Sequence, residues 1–262
     1  MSEAEKIRYE VNKKVAIITL NRPQSLNALD VSCLTRLVDL YVEAEKDPKV
    51  RAVLLTGTGE RAFSAGLDTK MLGSATLEEK IKVVTEGNRL AKTIFHMRKP
   101  SAVAINGLGM GWGMIASLLV DFRFAADDPN IFLALSELDT GVLPASAAAF
   151  GAVINFGVKI AQEMVQTAKR YTIPELQALH FITAVYPRAQ LLEESLKFLG
   201  KLARRPPILL YMSKSIINMH AARIFDDAVT QEYEFLYYLK DHQDDAEIAK
   251  FIEEQWANLR KR

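Results

Sequence analysis

The sequence predicts an α/β fold in which helices cover a largely parallel sheet and a helical segment follows. Two observations support this class. Short apolar runs alternate with helical stretches over the first half of the 262-residue chain, an order typical of parallel strands joined by right-handed helical crossovers. From Pro187 onward, apolar residues recur with helical spacing almost throughout. We therefore expect an α/β body followed by a helical C-terminal third.

The individual elements each have a local signal. Runs that are short and apolar on both faces predict buried strands at 15–20, 53–55, 103–105 and 122–125. Asp30 can cap a helix through about residue 47, and the sequence TLEE at 76–79 is a capping box for a helix that reaches residue 95. A further helix is expected over roughly 111–119. Helical spacing then predicts helices at 191–203, 207–220, 224–238 and 246–259.

Composition excludes several functional classes. The chain has 33 Lys and Arg residues against 32 Asp and Glu, a net charge of +1, so nucleic acid and anionic membranes are poor partners. Its single cysteine, Cys33, cannot form an internal disulfide, which fits a reducing compartment. The N-terminus lacks the apolar core of a signal peptide and the C-terminus lacks an S-K-L or K-D-E-L address. We expect a cytoplasmic protein without a metal site, because no His or Cys spacing matches one.

An uncharged run of twenty residues extends from Ser101 to Val120. Its length alone could span a bilayer. However, it contains Asn106 and four glycines within seven positions, and no aromatic belts flank it. The run therefore predicts a buried segment of a globular core.

The glycines of this run, at positions 107, 109, 111 and 113, follow a strand and open a helix. They do not have the G-x-G-x-x-G spacing of a dinucleotide loop. Free N–H groups at a helix N-terminus can instead bind an anion or a developing oxyanion. Tight strand–helix packing alone is the alternative explanation of the glycines. Ser64 in AFSAG lacks the leading glycine of a hydrolase nucleophile elbow, since Ala62 occupies that position.

Five segments together resemble the crotonase superfamily, the enoyl-CoA hydratase/isomerase fold. They are LNRPQSLNAL (20–29), AFSAGLD (62–68), KPSAVAINGLGMGWG (99–113), Asp121 with the FRFAAD that follows it, and SELDTGVLP (136–144). They occur in the order and roughly the spacing of that family. The resemblance implies a spiral core of repeated ββα units over residues 1–190. It also implies a helical region over 191–262 that assembles the chain into a homotrimer or a dimer of trimers.

The resemblance implies a reaction on an acyl-CoA thioester, in which coenzyme A is part of the substrate and no separate cofactor is needed. In the family, two backbone N–H groups hold the thioester oxygen while it gains enolate charge. The aligned donors here are Leu67 and Trp112, and Trp112 stands where the family usually has glycine. Such donors typically contribute about 3–4 kcal/mol each to lowering a barrier.

Further contacts to the substrate follow from the same resemblance. The implied coenzyme A loop contains Ser64, Ala65, Gly66, Asp68 and Lys70, with Lys70 near the phosphates. Gly111 would line the same site. Lys214 is a further candidate phosphate contact, although a solvated helix lysine is the favoured interpretation.

The acid–base residues decide between activities of this family. Hydratases use two glutamates, and the first of these aligns with Ile115, which cannot transfer a proton. The second aligns with Glu137, whose apolar neighbours should raise its pKa and make it a better base. Asp139 is a possible second acid, because in an extended segment it would share the face of Glu137.

A single glutamate opposite an apolar position is similar to the pattern of Δ3,Δ2-enoyl-CoA isomerases, in which one carboxylate moves a proton from C2 to C4. We therefore expect an isomerase with Glu137 as its base. An enoyl-CoA hydratase, a thioester hydrolase, a decarboxylase and a non-catalytic acyl-CoA-binding relative are the alternatives. Neutral net charge argues against an RNA-binding member.

Overall fold

The structure is a computed structural model that describes residues 3–140 and 143–242, together with positions 246, 250 and 254. Its strands are β1 (Ile7–Asn12), β2 (Val15–Leu20), β3 (Ala52–Gly57), β4 (Ala62–Ser64), β5 (Ser101–Ile105), β6 (Leu108–Met110), β7 (Phe122–Ala126), β8 (Phe132–Ala134), β9 (Tyr171–Thr172) and β10 (Ala184–Tyr186). Its α-helices are α1 (Glu3–Lys6), α2 (Val31–Lys46), α3 (Thr69–Ser74), α4 (Leu77–Phe95), α5 (Trp112–Leu119), α6 (Ala148–Thr167), α7 (Ile173–Ala178), α8 (Leu191–Leu202) and α9 (Pro207–Asp241).

Two sheets organise the described strands. The larger has the order β1-β2-β3-β5-β7-β10 and the smaller has the order β4-β6-β8-β9. The pairs β1–β2 and β8–β9 are antiparallel, and the other pairs are parallel. Three times the chain passes through a strand of the large sheet, a strand of the small sheet and then one or two helices: β3-β4-α3-α4, β5-β6-α5 and β7-β8-α6. This repeat confirms the predicted α/β class and the ββα spiral.

The core lies between the large sheet and the helices. Every residue of β5 and all of β3 except Gly57 are buried, which explains why these strands are apolar on both faces. The C-terminal helices contribute to the same core, since Phe225 of α9 stacks on Phe95 of α4 with ring centroids 4.6 Å apart and meets Phe150 of α6 edge-on. A boundary between a core and a C-terminal region at residue 190 remains a prediction.

The helix-capping predictions are confirmed. The Asp30 carboxylate accepts the Cys33 N–H at 2.9 Å at the start of α2. Thr76 and Glu79 form the reciprocal capping box of α4. The strands of the small sheet have two or three residues each, and such lengths are too short for a period-2 pattern to be recognised.

The C-terminal helix corrects one prediction. The expected helices 207–220 and 224–238 are a single helix, α9, which continues through residues 221–223. These residues are Ala-Ala-Arg, all strong helix formers, so nothing interrupts the helix. The predicted helix 246–259 lies largely outside the described residues. The uncharged run 101–120 comprises β5, β6 and α5, and none of the helices described is both long and apolar enough to cross a bilayer.

Candidate active site

Two glycine-containing loops meet where the small sheet passes into α5. Gly66 has φ +87° and Gly111 has φ +48°, conformations that favour glycine. A methyl group on Gly66 would lie 2.8 Å from the Met110 carbonyl oxygen and 3.2 Å from the Trp112 nitrogen. Neither backbone could approach the other so closely with a side chain present. The glycines therefore bring together the two backbone segments that the sequence motifs marked.

The backbone N–H groups of Leu67 and Trp112 are available at this contact. Leu67 pairs with Leu29 in an isolated parallel bridge, in which Leu29 N–H donates to the Gly66 oxygen at 2.8 Å and Asp68 N–H donates to the Leu29 oxygen at 2.9 Å. The intervening Leu67 N–H points away from Leu29. Trp112 is the first residue of α5, so the helix does not use its N–H group. Neither group donates to a backbone oxygen in the part of the chain described.

The loop that carries Leu67 is held by polar side chains. Ser64 is buried, and its hydroxyl donates to the Asn27 oxygen while accepting the Gly66 N–H. Asp68 caps α3 by accepting the Met71 N–H. Its carboxylate also forms an ion pair with the Arg22 guanidinium at 3.2 Å. Of the predicted coenzyme A residues, Ser64 and Asp68 thus have side chains already engaged in folding the loop.

Sequence reasoning did not assign roles to Arg22 and Asn27, although both lie in the LNRPQSLNAL segment. Arg22 donates to the Ala28 oxygen at 2.6 Å and contacts Asp68. The Asn27 amide donates to the oxygens of Thr58 and Ala62. The sequence did contain a signal for these two residues: they lie in a polar run between a strand and a helix, before the glycine loop. These two residues tie the 20–29 segment to the loop that carries Leu67.

Glu137 supplies a buried carboxyl group beside the two loops. A methyl group on Gly111 would lie 3.1 Å from Glu137 Oε1, so the carboxyl group faces the backbone at the start of α5. The residue keeps partial exposure as a whole, yet its Oε2 atom is buried and has no hydrogen-bond partner among the described residues. Burial raises the pKa of Glu137 to about 7, partly offset by its own backbone N–H. The direction of this pKa shift agrees with the rise expected from the apolar neighbours of Glu137.

Neither of the other two candidate acid–base positions places a buried carboxyl group beside the two loops, as Glu137 does. Ile115 is buried on α5 at 2% exposure, and its side chain carries no proton to transfer. Asp139 lies on a 3₁₀ turn, Leu138–Thr140, and is exposed. The expected extended segment is therefore wrong, because Thr140 bonds back to the Glu137 oxygen and closes a turn. Asp139 does not share the buried face of Glu137.

The two candidate phosphate contacts also differ. Lys70 is exposed on α3 next to the glycine loop, as its predicted role requires. Lys214 is not a solvated helix lysine: its ammonium group forms an ion pair with Asp121 at 2.7 Å, and its side chain is 13% exposed. Asp121 in turn accepts from the Ser101 N–H and hydroxyl groups. Lys214 thus fastens α9 to the large sheet.

A ββα spiral with paired backbone donors beside a buried carboxyl group is the arrangement of crotonase-type enzymes. The family model Enoyl-CoA hydratase/isomerase matches residues 10–261, and the chain belongs to this family. Relatives include a short-chain-enoyl-CoA hydratase of Clostridium acetobutylicum, 28% identical over 97% of both chains, and a crotonyl-CoA hydratase of Syntrophomonas wolfei, 26% identical over 97% of this chain and 98% of that one. An enoyl-CoA hydratase/isomerase structure from Mycobacterium paratuberculosis has a TM-score of 0.83 at 25% identity and covers 98% of each chain.

Proposed function

We propose that the protein is a Δ3,Δ2-enoyl-CoA isomerase in which Glu137 is the only proton carrier. The N–H groups of Leu67 and Trp112 would hold the thioester oxygen. Glu137 would break the C2–H bond, the electron pair would spread to the thioester oxygen as a dienolate, and the same carboxyl group would return the proton to C4. The double bond moves from C3–C4 to C2–C3, and no water enters or leaves.

The Oε2 atom of Glu137, which has no hydrogen-bond partner in the described part of the chain, is the observation that carries this proposal. A buried oxygen without a hydrogen bond is costly to the folded state, and such atoms occur where a ligand or a reaction uses them. A pKa of about 7 lets the group both accept and return a proton near neutral pH. Hydration needs a second group to position and split water, and the aligned position 115 is a buried isoleucine.

The substrate would extend from this carboxyl group across α3. An open cavity of about 340 Å³ lies there, bordered by Val31, Met71, Ser74 and Lys82. The exposed Lys70 on the same helix is placed to meet phosphate groups. We assign the acyl-CoA thioester to this surface, with Ala65 and Gly66 contacting it through their backbone.

Hydration of 2-enoyl-CoA is the second candidate, and the names of the hydratase relatives favour it. The two reactions separate when pure protein is incubated in turn with 3-enoyl-CoA and 2-enoyl-CoA. Isomerisation that is lost in Glu137→Gln supports the proposal. Hydration at an ordinary enzymatic rate would show that Ile115 does not prevent it. Acyl-CoA binding without turnover of either substrate would identify a binding protein.

We also propose assembly as a homotrimer or a dimer of trimers. Large apolar side chains are exposed along α9, including Ile216 at 69%, Ile217 at 77% and Met219 at 61%. Exposed apolar surface of this extent is typical of protein–protein contacts. Sedimentation equilibrium should give a mass of three or six chains, and a mass near one chain would refute the assembly.

A further inference from the structure

A second buried carboxyl group lies close to the candidate active site. Glu232 of α9 is 8% exposed, and its two carboxylate oxygens accept the Ala147 N–H at 3.0 and 3.3 Å. Burial raises the pKa of Glu232 to about 7, against the lowering effect of the Ala147 and Ser146 N–H groups. The isomerisation described above does not use this group.

Asn88 of α4 lies beside the same loop and has an unused donor. Its Oδ1 atom accepts the Ser146 N–H at 2.9 Å. This contact fixes the orientation of the amide, because an N–H group can only donate. The Nδ2 atom is then left buried without a hydrogen-bond partner in the part of the chain described, on a side chain that is 2% exposed. Native proteins rarely leave such a donor unpaired.

The loop that contains Ser146 and Ala147 donates hydrogen bonds to both Asn88 and Glu232, and its backbone is strained. Ser146 has φ +63° and Ala147 has φ +60°, the left-handed region that residues other than glycine rarely adopt. In this conformation the two consecutive N–H groups reach Asn88 and Glu232, respectively. Strain of this kind persists where surrounding contacts enforce it, often beside ligands.

Trp112 connects this polar cluster to the backbone donors. A methyl group on Gly87 would lie 2.5 Å from the Ser146 hydroxyl oxygen and 3.4 Å from Trp112 Nε1. The indole nitrogen, which can only donate, thus borders the loop. The backbone nitrogen of the same residue lies 3.2 Å from the position of a methyl group on Gly66. The cluster is therefore about the length of an indole side chain away from the position proposed for the thioester oxygen.

We propose that Asn88 and Glu232 form a subsite for a hydroxyl group on the distal part of the acyl chain, beyond the reacting carbons C2–C4. A hydroxyl oxygen would accept from Asn88 Nδ2, and its hydrogen would be donated to Glu232. An alkyl chain offers neither contact, and a terminal carboxylate would be repelled by Glu232. This subsite presupposes the acyl-CoA site of the proposed function and adds the substrate class to it.

The test measures binding rather than turnover, so it does not depend on the reaction. Hexanoyl-CoA, 5-hydroxyhexanoyl-CoA, 6-hydroxyhexanoyl-CoA and adipyl-CoA are titrated into the full-length protein by calorimetry. We expect one of the hydroxy thioesters to bind about tenfold more tightly than hexanoyl-CoA, the effect of one or two buried hydrogen bonds. Equal affinities, or a preference for the alkyl or carboxylate chain, would overturn the subsite.

Two variants test whether Asn88 and Glu232 cause the preference for a hydroxyl-bearing acyl chain. Asn88→Asp keeps the acceptor for the Ser146 N–H but replaces the donor, and Glu232→Gln keeps the shape of the side chain while removing the charge. Asn88→Asp should reduce the hydroxyl preference to less than threefold. Glu232→Gln keeps an acceptor oxygen for the hydroxyl group, so it should instead weaken the discrimination against adipyl-CoA. Thr85→Val on the exposed face of α4 should preserve both. A hydroxyl preference that persists in folded Asn88→Asp, or unchanged discrimination against adipyl-CoA in folded Glu232→Gln, would overturn the assignment. Hydroxyl-selective binding without isomerisation would leave the subsite in place and refute the proposed function alone.

Discussion

Glu137 and Glu232 are both buried carboxyl groups with a pKa raised to about 7. Glu137 lies at the start of the connection between β8 and α6, and Glu232 of α9 contacts the end of that connection at Ala147. They differ in their partners. Both oxygens of Glu232 accept the Ala147 N–H, whereas Oε2 of Glu137 accepts nothing among the described residues. A raised pKa alone therefore does not distinguish a proton carrier from a group that positions a loop or ligand. The two groups are distinguished by the Oε2 atom of Glu137, which has no hydrogen-bond partner in the part of the chain described.

The largest expected effect comes from removing the carboxyl group of Glu137. Glu137→Gln should lower kcat for 3-enoyl-CoA isomerisation by roughly 10³-fold, since an amide cannot take up the C2 proton and general acid–base groups contribute factors of this size. The loss appears in the rate of double-bond migration, followed by absorbance of the conjugated product.

Two controls accompany this substitution. Glu193→Gln changes an exposed carboxyl group on α8 and should leave the rate unaltered. Glu232→Gln should lower kcat by less than tenfold for an unsubstituted acyl chain. Equal losses in Glu137→Gln and Glu232→Gln would remove the distinction between the two groups.

The second effect concerns the backbone that Glu137 faces. Gly111→Ala should lower kcat by roughly 10²-fold, comparable to loss of one oxyanion-hole donor. Its added methyl group would lie 3.1 Å from Glu137 Oε1, and the φ of +48° with ψ −114° is unfavourable for alanine. Steady-state kinetics measure the loss.

Gly200→Ala is the matched control for this variant. Gly200 lies within α8, and nothing is within 4 Å of an added methyl group. The substitution should leave kcat unchanged and raise the free energy of unfolding by about 0.5–1 kcal/mol, because alanine is the better helix former. Wild-type activity in Gly111→Ala would show that the backbone there tolerates displacement.

The position of Glu137 in the site could be predicted from the sequence, whereas the contact between Glu232 and Ala147 could not. Glu137 could be predicted because it lies in the local SELDTG pattern, surrounded by apolar residues that indicate burial. The partnership of Glu232 with Ala147 joins residues 85 positions apart, and the helix that carries Glu232 has no motif around it. Tertiary contacts of this kind have no local signal.

The difference between local patterns and long-range contacts also explains which parts of the fold could be predicted. The α2 and α4 boundaries were predicted closely, since their caps involve residues three positions apart. The residue pattern did not locate the strands of the small sheet, because they pair across the chain and are too short for periodicity. Only the family resemblance implied a second strand in each repeat. Asp139 was misplaced because a 3₁₀ turn and an extended segment differ in backbone hydrogen bonds, which the residue types in this run do not determine.

A smaller effect is the pH dependence of catalysis. The base must be ionised, so log(kcat/KM) should rise with slope one below pH 7 and level off above it, following the pKa of about 7 for Glu137. Initial rates between pH 5 and 9 measure the profile. Glu232→Gln should leave this midpoint within about half a unit. A midpoint that moves with Glu232 instead would assign the titration to the other carboxyl group.

The last effect is on stability, where the two groups should act alike. The folded-state pKa of Glu232 is raised from 4.5 to about 7, so between these values the folded chain binds more protons than the unfolded chain, and stability falls as pH rises. Glu232→Gln removes this loss and should be more stable than wild type by up to about 3 kcal/mol at pH 8. At pH 4 both forms are neutral and the difference should vanish. Glu137→Gln should show the same sign, and urea unfolding at both pH values measures it. A stabilisation independent of pH would mean that packing, rather than the ionisation of a buried carboxyl group, separates variant from wild type.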